Sequence, residues 1–452
     1  MLWSGCAFEN RTLARFDRTE GYRLRNLQTN QLNTDAVFVV LSFSGGGTRA
    51  AAFAYGAMEE LAATKIGYAG KNRRLLDEVD IISSVSGGSF TAGYYALYGD
   101  RLFHDFETNF LRRNVQLSLG LRVLNPINWP RLASPYFDRI DLAGEYYDDI
   151  LFNHHTYADL ISKGRRPFVV INATDISLGS RFEFTQEQFD LLYSDLSSYP
   201  LSRSVAASSA FPILLSPLTL RNYPARTNYS QPVWITTGLE DADDNSRRFK
   251  IATIAQSYEN ATNRPYVHLI DGGISDNIGL RGPARALLST DGQDSLLRKI
   301  NLRQVKIMAI ITVNAKPGSD IDWDKKRRAP GLASVISSVV SAPMDNYSVE
   351  TIDSLGEKVD QIVKDKDTER AVIRKLKEAC PDVKWPEVLP DVDFYDIELS
   401  FDKVKDPNLR KQLKALPTNF HLTPAQIGLL KQAGRDILQG SQTFSNLVQR
   451  LK

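Results

Sequence analysis

The sequence predicts an α/β protein: a three-layer α/β/α fold with a mainly parallel central sheet, followed by a C-terminal α+β lobe. Two observations predict the main domain. Short β-branched apolar runs alternate with helical segments, and the connections between them are short. Strands joined through helices run parallel, and a parallel sheet is covered on both faces. The 452 residues are enough for one such domain with an appended lobe.

The first predicted unit is an apolar strand over 37–41, a glycine-rich loop and an alanine-rich helix over 50–63. The loop contains Gly45, Gly46 and Gly47 in succession. Glycines leave their N–H groups unshielded by a Cβ, and at a helix start these groups have no partner within the helix. The loop therefore predicts an anion site, which beside a nucleophile would act as an oxyanion hole.

The second unit is a strand over 79–82, the turn Ser84-Val85-Ser86-Gly87-Gly88 and a helix over 90–98. A serine between small residues at a sharp strand-to-helix turn is typical of a nucleophile elbow. The turn presents the hydroxyl in front of a helix N-terminus, which favours developing negative charge. Ser84 replaces the first glycine of the usual Gly-x-Ser-x-Gly pattern, and ordinary loops have a similar composition. The turn by itself leaves both interpretations open for Ser86.

A third apolar run, over 266–270, ends in Asp271-Gly272-Gly273. A carboxylate at the end of a strand can reach the elbow of a neighbouring strand and accept its proton. The right-handed crossovers of parallel strands predict that this carboxylate, the glycine loop and the elbow lie at the same sheet edge.

In this order, the glycine loop, the serine elbow and the Asp-Gly-Gly turn resemble the patatin-like phospholipase family over about residues 36–315. The stretches 172–175 and 204–212 resemble further parts of its core. The resemblance implies a Ser–Asp dyad without histidine, with Ser86 as nucleophile and Asp271 as base, and it implies no cofactor and no metal. It assigns Gly45, Gly46, Gly47 and Arg49 to the oxyanion loop, and Gly87, Gly88, Gly272 and Gly273 to support of the elbow and the dyad loop.

The chain is predicted to have three parts. Residues 1–35 form an N-terminal arm, residues 36–315 the patatin-like catalytic domain, and residues 316–452 a mostly helical lobe. In the lobe, alternation predicts an edge strand over 391–399, and the pair Thr423-Pro424 predicts the start of a helix.

An insertion over about 101–165 mixes arginine, leucine and tryptophan with prolines. This composition is typical of a cap over an active site or of a surface that rests on lipid headgroups. The alternative is an irregular insertion that packs on the domain. We expect contacts with a membrane surface from Arg112, Arg113, Arg122 and Trp129.

The first residues, Leu2 to Ala7, resemble a bacterial lipobox around Cys6, although only five residues precede that cysteine. If the natural chain starts further upstream, this stretch predicts a membrane-associated lipoprotein anchored at Cys6. Otherwise the chain is predicted to be cytoplasmic.

Composition narrows the choice of partners. The net charge of +2 is too small to favour nucleic acid, and two cysteines cannot build a disulfide framework. The histidines lack the spacing of a metal site, and the oligomeric state is left open.

The predicted function is hydrolysis of carboxylic esters, in phospholipids or other lipid esters, through an acyl-enzyme. Two alternatives remain at this point. One is a Ser–Asp–His esterase that uses His421, the one histidine after Asp271. The other is a lipid-binding protein that keeps the fold without turnover.

Overall fold

The computed structural model describes most of the chain, and the account below concerns those residues alone. They are residues 8–28, 33–70, 72–212, 214–225, 229–243, 246–288, 304–318, 327, 329, 331–380 and 392–452. Cys6 lies outside them, so its lipid attachment stays a prediction.

Twelve strands occur in the described residues, and their order along the chain follows the predicted alternation with helices. The strands are β1 Arg11–Thr12, β2 Val37–Phe43, β3 Lys65–Ile66, β4 Arg73–Arg74, β5 Val79–Val85, β6 Phe168–Asp175, β7 Ser180–Glu183, β8 Ser194–Asp195, β9 Leu218–Arg221, β10 Tyr266–Asp271, β11 Ile307–Asn314 and β12 Asp393–Ser400.

The α-helices of the described residues range from single turns to one of 48 residues. They are α1 Gly47–Ala63, α2 Gly87–Tyr98, α3 Leu102–Phe106, α4 Val115–Leu124, α5 Trp129–Leu132, α6 Arg139–Tyr147, α7 Tyr157–Lys163, α8 Gln186–Asp190, α9 Leu201–Ser208, α10 Val233–Glu240, α11 Ser246–Tyr258, α12 Gly273–Asp276, α13 Arg281–Leu288, α14 Leu332–Ala379, α15 Pro407–Lys414, α16 Pro424–Gln439 and α17 Gln442–Arg450. None of these helices has the length and apolarity that crossing a bilayer would require.

The central sheet has the strand order β12-β11-β2-β5-β6-β10-β9, with β7 also paired to β6. Its first five strands run parallel. Every residue of β2, β5, β6 and β11 is buried, because helices flank the sheet and continuous apolar runs suit strands covered on both faces. The predicted three-layer fold with a mainly parallel sheet is confirmed.

The strand that carries Asp271 does not follow the predicted parallel arrangement. β10 is antiparallel to β6, and its last residue, Asp271, pairs with Ala173. The adjacent residue of β6, Asn172, pairs with Val85 at the end of β5. The antiparallel register therefore places the end of β10 level with the elbow. Asp271 lies near Ser86 as predicted, but because of this register and not because of a right-handed crossover.

Residues beyond 316 extend the same sheet. β12 lies parallel to β11 from the pair Ile307–Asp393 to the pair Asn314–Ser400, which confirms the predicted edge strand. α16 packs along α1 so closely that a Cβ on Gly56 would lie 2.2 Å from the Lys431 carbonyl oxygen. The predicted helix start is also confirmed, since Thr423 is the N-cap of α16. The division of the chain into domains stays a prediction.

Candidate active site

Ser86 stands between β5 and α2 in a strained backbone conformation, with φ 47° and ψ −118°. A positive φ in a residue other than glycine costs on the order of 1–3 kcal/mol and persists only where the surroundings hold it. The Ser86 N–H donates to Ser208 Oγ at 2.8 Å, and the Ser89 N–H donates to the Ser86 carbonyl at 3.0 Å. The strand-to-helix turn thus has the geometry of the predicted elbow, with Ser86 at the turn.

The two glycines after Ser86 allow the elbow to touch the glycine loop. A Cβ on Gly87 would lie 2.0 Å from the Gly47 carbonyl oxygen, and one on Gly88 would lie 2.8 Å from the Ser44 carbonyl oxygen. Real side chains never approach backbone so closely, so neither position can accept a larger residue without displacing the loop. This contact brings the starts of α1 and α2 together.

Asp271 lies buried at the end of β10, beside the elbow. Its Oδ1 accepts the Gly273 N–H at 2.8 Å, and the Ser86 hydroxyl donates to the same carboxylate. Burial raises the pKa of Asp271 to about 6, while these two hydrogen bonds oppose the rise. A Cβ on Gly272 would lie 2.2 Å from the Asn172 carbonyl oxygen, so the dyad loop is packed directly on β6.

The glycine loop offers a narrower set of donors than the sequence predicts. The Gly45 N–H donates to the Asn277 carbonyl at 2.9 Å and is therefore engaged. Within the described residues, the N–H groups of Gly46 and Gly47 have no acceptor. Both have positive φ, 135° and 60°, which glycine adopts without strain. Among the described residues, Gly46 and Gly47 thus carry the N–H groups of this loop that remain open to an anion.

Arg49 is buried on α1 rather than exposed at the loop. Its Nε donates to the Ala315 carbonyl at 2.9 Å and its Nη1 to the Leu416 carbonyl at 2.7 Å. The guanidinium therefore ties the glycine loop to the segments that follow β11 and α15. In the predicted oxyanion loop, Arg49 thus holds the loop in position through these two hydrogen bonds.

The C-terminal end of α9 contacts both Ser86 and Asp271. Ser208 Oγ accepts the Ser86 N–H and donates to the Asn172 carbonyl at 2.6 Å. The Ser208 carbonyl accepts the Gly272 N–H at 3.1 Å, and the Ala210 carbonyl accepts the Asp271 N–H at 3.0 Å. The small residues of this segment mark it in the sequence as part of the predicted core. The contact of Ser208 with Ser86 could not be predicted, because the two residues are 122 positions apart in the chain.

Replacing Ser208 by alanine should lower kcat by roughly tenfold to a hundredfold and leave KM nearly unchanged. The variant leaves the strained Ser86 N–H without its acceptor, a loss that costs about 1–3 kcal/mol. Steady-state kinetics on a soluble ester would measure the effect. Ser209→Ala is the matched control, because Ser209 Oγ bonds to its own helix, to the Val205 carbonyl at 2.8 Å. An equal fall in kcat for both variants would contradict the positioning role of Ser208.

All five histidines lie within the described residues, and none contacts the dyad. His154 pairs with Asp148, and His155 Nδ1 lies 3.2 Å from Asp159. The others face solvent: His104, His268 and His421. Asp271 therefore has a serine and a backbone N–H as its partners, without an imidazole.

The fold and these motifs together point to one family of proteins. The model of the family Patatin, described as patatin-like phospholipase, matches residues 41–284, which is more than half of the chain. The chain belongs to the patatin-like phospholipase family. No curated protein matches the sequence.

Two solved structures resemble this chain distantly. Human GIVD cytosolic phospholipase A2 is 11% identical with a TM-score of 0.43, and the match covers 92% of this chain and 60% of that chain. VipD from Legionella pneumophila is 13% identical with a TM-score of 0.30, and the match covers 92% of this chain and 67% of that one. This chain thus spans less than two thirds of the human protein's chain, and at these TM-scores neither likeness bears on its substrate.

Proposed function

We propose that this protein is a serine lipid acyl hydrolase of the phospholipase A or lysophospholipase type, which cleaves carboxylic esters of membrane lipids through a Ser–Asp dyad and an acyl-enzyme. One observation carries the proposal. The Ser86 hydroxyl, at a strained elbow, donates to the buried Asp271 carboxylate, and the glycine loop packs directly against the elbow.

In acylation, residues of this chain transfer the proton and stabilise the negative charge that develops on the substrate. Asp271 accepts the Ser86 proton while Ser86 Oγ attacks the ester carbonyl carbon. The N–H groups of Gly46 and Gly47 stabilise the tetrahedral oxyanion. Collapse breaks the bond to the lipid alcohol, which leaves with the proton that Asp271 held.

Deacylation repeats these steps with water. Asp271 accepts a proton from the water molecule, whose oxygen attacks the acyl carbon on Ser86. The same glycine N–H groups stabilise the second oxyanion. The fatty acid leaves, and Ser86 Oγ regains the proton from Asp271.

The placement of the histidines supports a dyad over a triad. A Ser–Asp–His esterase needs an imidazole between its carboxylate and its serine. Here the Ser86 hydroxyl donates directly to Asp271, and His421 is exposed. The presence of the elbow, the base and the glycine N–H groups together supports turnover over lipid binding alone.

The surroundings of the dyad suit an apolar substrate. The dyad residues are both buried, and Met344 of α14 lies against the dyad loop: a Cβ on Gly273 would be 2.5 Å from Met344 Cε. An ester held beside such a wall is removed from water, which strengthens the hydrogen bonds of the oxyanion loop.

A fluorophosphonate with a long alkyl chain tests the proposal. It should label the folded protein with a stoichiometry of about one and carry its mark on the peptide that contains Ser86, and labelling should abolish release of fatty acid from phospholipid in mixed micelles. Heat-denatured protein is the control and should not react. Labelling at another serine, or undiminished hydrolysis after labelling, would contradict the proposal.

A further inference from the structure

Five large apolar side chains between residues 117 and 129 of the insertion are exposed to solvent. They lie on α4, on the turn that follows it and at the start of α5, and each is between 57% and 78% exposed. We call them the docking ridge: Leu117, Leu121, Leu124, Ile127 and Trp129. Contiguous exposed apolar side chains of this size mark a surface that another body covers.

α4 is apolar on two opposite faces. Val115 and Leu119 are buried against the protein, whereas Leu117, Leu121 and Leu124 recur at i, i+4 and i+7 on the other side. A helix that is apolar around most of its circumference belongs in an apolar environment on both sides. Within the described residues, only the face of α4 with Val115 and Leu119 is covered by the protein.

The ridge is held in a defined shape. Asn114 caps α4 by accepting the Leu117 N–H at 2.9 Å. Beyond the helix, Asn128 Nδ2 donates to the Arg122 carbonyl at 2.8 Å, and Trp129 Nε1 donates to the Val123 carbonyl at 3.2 Å. These bonds fold the turn back on the helix, so the exposed side chains are presented by an ordered segment.

The stretch that carries the ridge is basic in sequence. Residues 108–137 contain four arginines and no acidic residue. Arg113 is exposed and, among the described residues, forms no ion pair. Arg112, Arg122 and Arg131 pair with Glu107, Asp149 and Glu145, three carboxylates from outside this stretch. The charge of Arg113 is therefore not offset in this way, and a positive charge beside apolar side chains is complementary to an anionic lipid surface.

The ridge is joined to the active site by a short chain of contacts. The Val115 N–H, at the start of α4, donates to the Phe420 carbonyl at 3.1 Å. The carbonyl of the preceding residue, Asn419, accepts the Thr48 N–H at 2.9 Å, and Thr48 follows Gly47 of the oxyanion loop. The start of the helix that carries the ridge is therefore linked to the glycine loop through residues 419 and 420.

We infer that the docking ridge inserts into the headgroup layer of an anionic lipid bilayer and holds the enzyme on its substrate. The inference rests on the proposed function, because a lipid hydrolase extracts its ester from such a layer. It differs from the sequence prediction in the residues that carry binding. Arg122 pairs with Asp149 and lies 5.0 Å from the Tyr146 ring centre, so the leucines of α4 are the anchors.

Vesicle sedimentation tests the inference independently of catalysis. The full chain with Ser86→Ala is mixed with vesicles of phosphatidylcholine alone or with 7:3 phosphatidylcholine and phosphatidylglycerol. Leu121→Ser with Leu124→Ser should weaken binding to the mixed vesicles by at least about tenfold, since two apolar side chains no longer leave water. The matched control is Val372→Ser with Leu376→Ser, which removes two exposed apolar side chains from α14.

In the active protein, the α4 double variant should lose hydrolysis of vesicle lipid and keep hydrolysis of a soluble short-chain ester. Unchanged vesicle binding by that variant would overturn the inference. Equal binding of the parent protein to both vesicle types would overturn the preference for an anionic surface that is assigned to Arg113. A parent protein that sediments as a dimer, and a variant that is monomeric, would assign the ridge to a second copy of the chain and overturn the inference as well. A parent protein that binds the mixed vesicles but hydrolyses neither vesicle lipid nor the soluble ester would count against the proposed function instead.

Discussion

Replacing Ser86 by alanine is expected to lower kcat by at least about a thousandfold, because the variant lacks the oxygen that forms the acyl-enzyme. The melting temperature should stay nearly unchanged, since alanine keeps the strained backbone of the elbow and its N–H bond to Ser208. Hydrolysis of a soluble ester and thermal unfolding would measure the two effects.

Ser86→Gly is the informative companion to the alanine variant. It should be equally inactive, yet it should raise the melting temperature, because glycine adopts the φ of 47° without strain. Residual turnover of either variant above about one part in a thousand would count against a covalent serine mechanism.

Replacing Asp271 by asparagine is expected to lower kcat by a comparable factor and to leave KM little changed, because the shape stays and the base is lost. Its amide oxygen can still accept the Gly273 N–H that Asp271 accepts at 2.8 Å. Single-turnover measurement of acylation would locate the loss in the first chemical step. An Asp271→Asn enzyme as active as the parent would overturn the dyad and direct attention to His421.

The same substitution should stabilise the protein above pH 6. Burial raises the pKa of Asp271 from its usual 3.8 to about 6, so the folded state holds this proton more tightly than the unfolded state does. The contribution of Asp271 to stability is therefore present below pH 4 and lost as the pH rises through 6, at a cost on the order of 3 kcal/mol. Asparagine avoids this cost, so its advantage in melting temperature should appear at pH 8 and vanish at pH 4.

The pH profile of the parent enzyme checks the same pKa. A base must be unprotonated, so kcat/KM on a neutral ester should fall about tenfold for each pH unit below pH 6. A profile that is flat from pH 7 to pH 4 would mean that Asp271 is not the base. The Asp271→Asn variant is the control, since its residual rate should lack this step.

Sequence alone identified the local parts of the site because their signals are local. A buried strand, a serine and two glycines predict a sharp turn wherever they occur together, and the structure has that turn at Ser86. Successive glycines at a helix start likewise predict free N–H groups. The family match over residues 41–284 agrees with the order of these motifs.

The partners of these parts are set by contacts between distant residues, which no local pattern contains. In the sequence, Gly45 is one of three similar glycines; in the structure, the Asn277 carbonyl accepts its N–H. In the sequence, Ser208 is one small residue among several; in the structure, its Oγ accepts the N–H of Ser86. The sequence therefore did not show that the Gly45 N–H is engaged, and it did not show the contact between Ser208 and Ser86.

Strand direction and helix orientation were also decided by tertiary structure. Sequence determined that residues 266–271 form a strand ending in a carboxylate, but the antiparallel pairing with β6 depends on backbone hydrogen bonds that any apolar strand can form. The sequence of α4 contains two apolar faces, and no local pattern says which of them is buried. Packing of Val115 and Leu119 chose one face for the protein, and that choice left the leucines of the docking ridge in water.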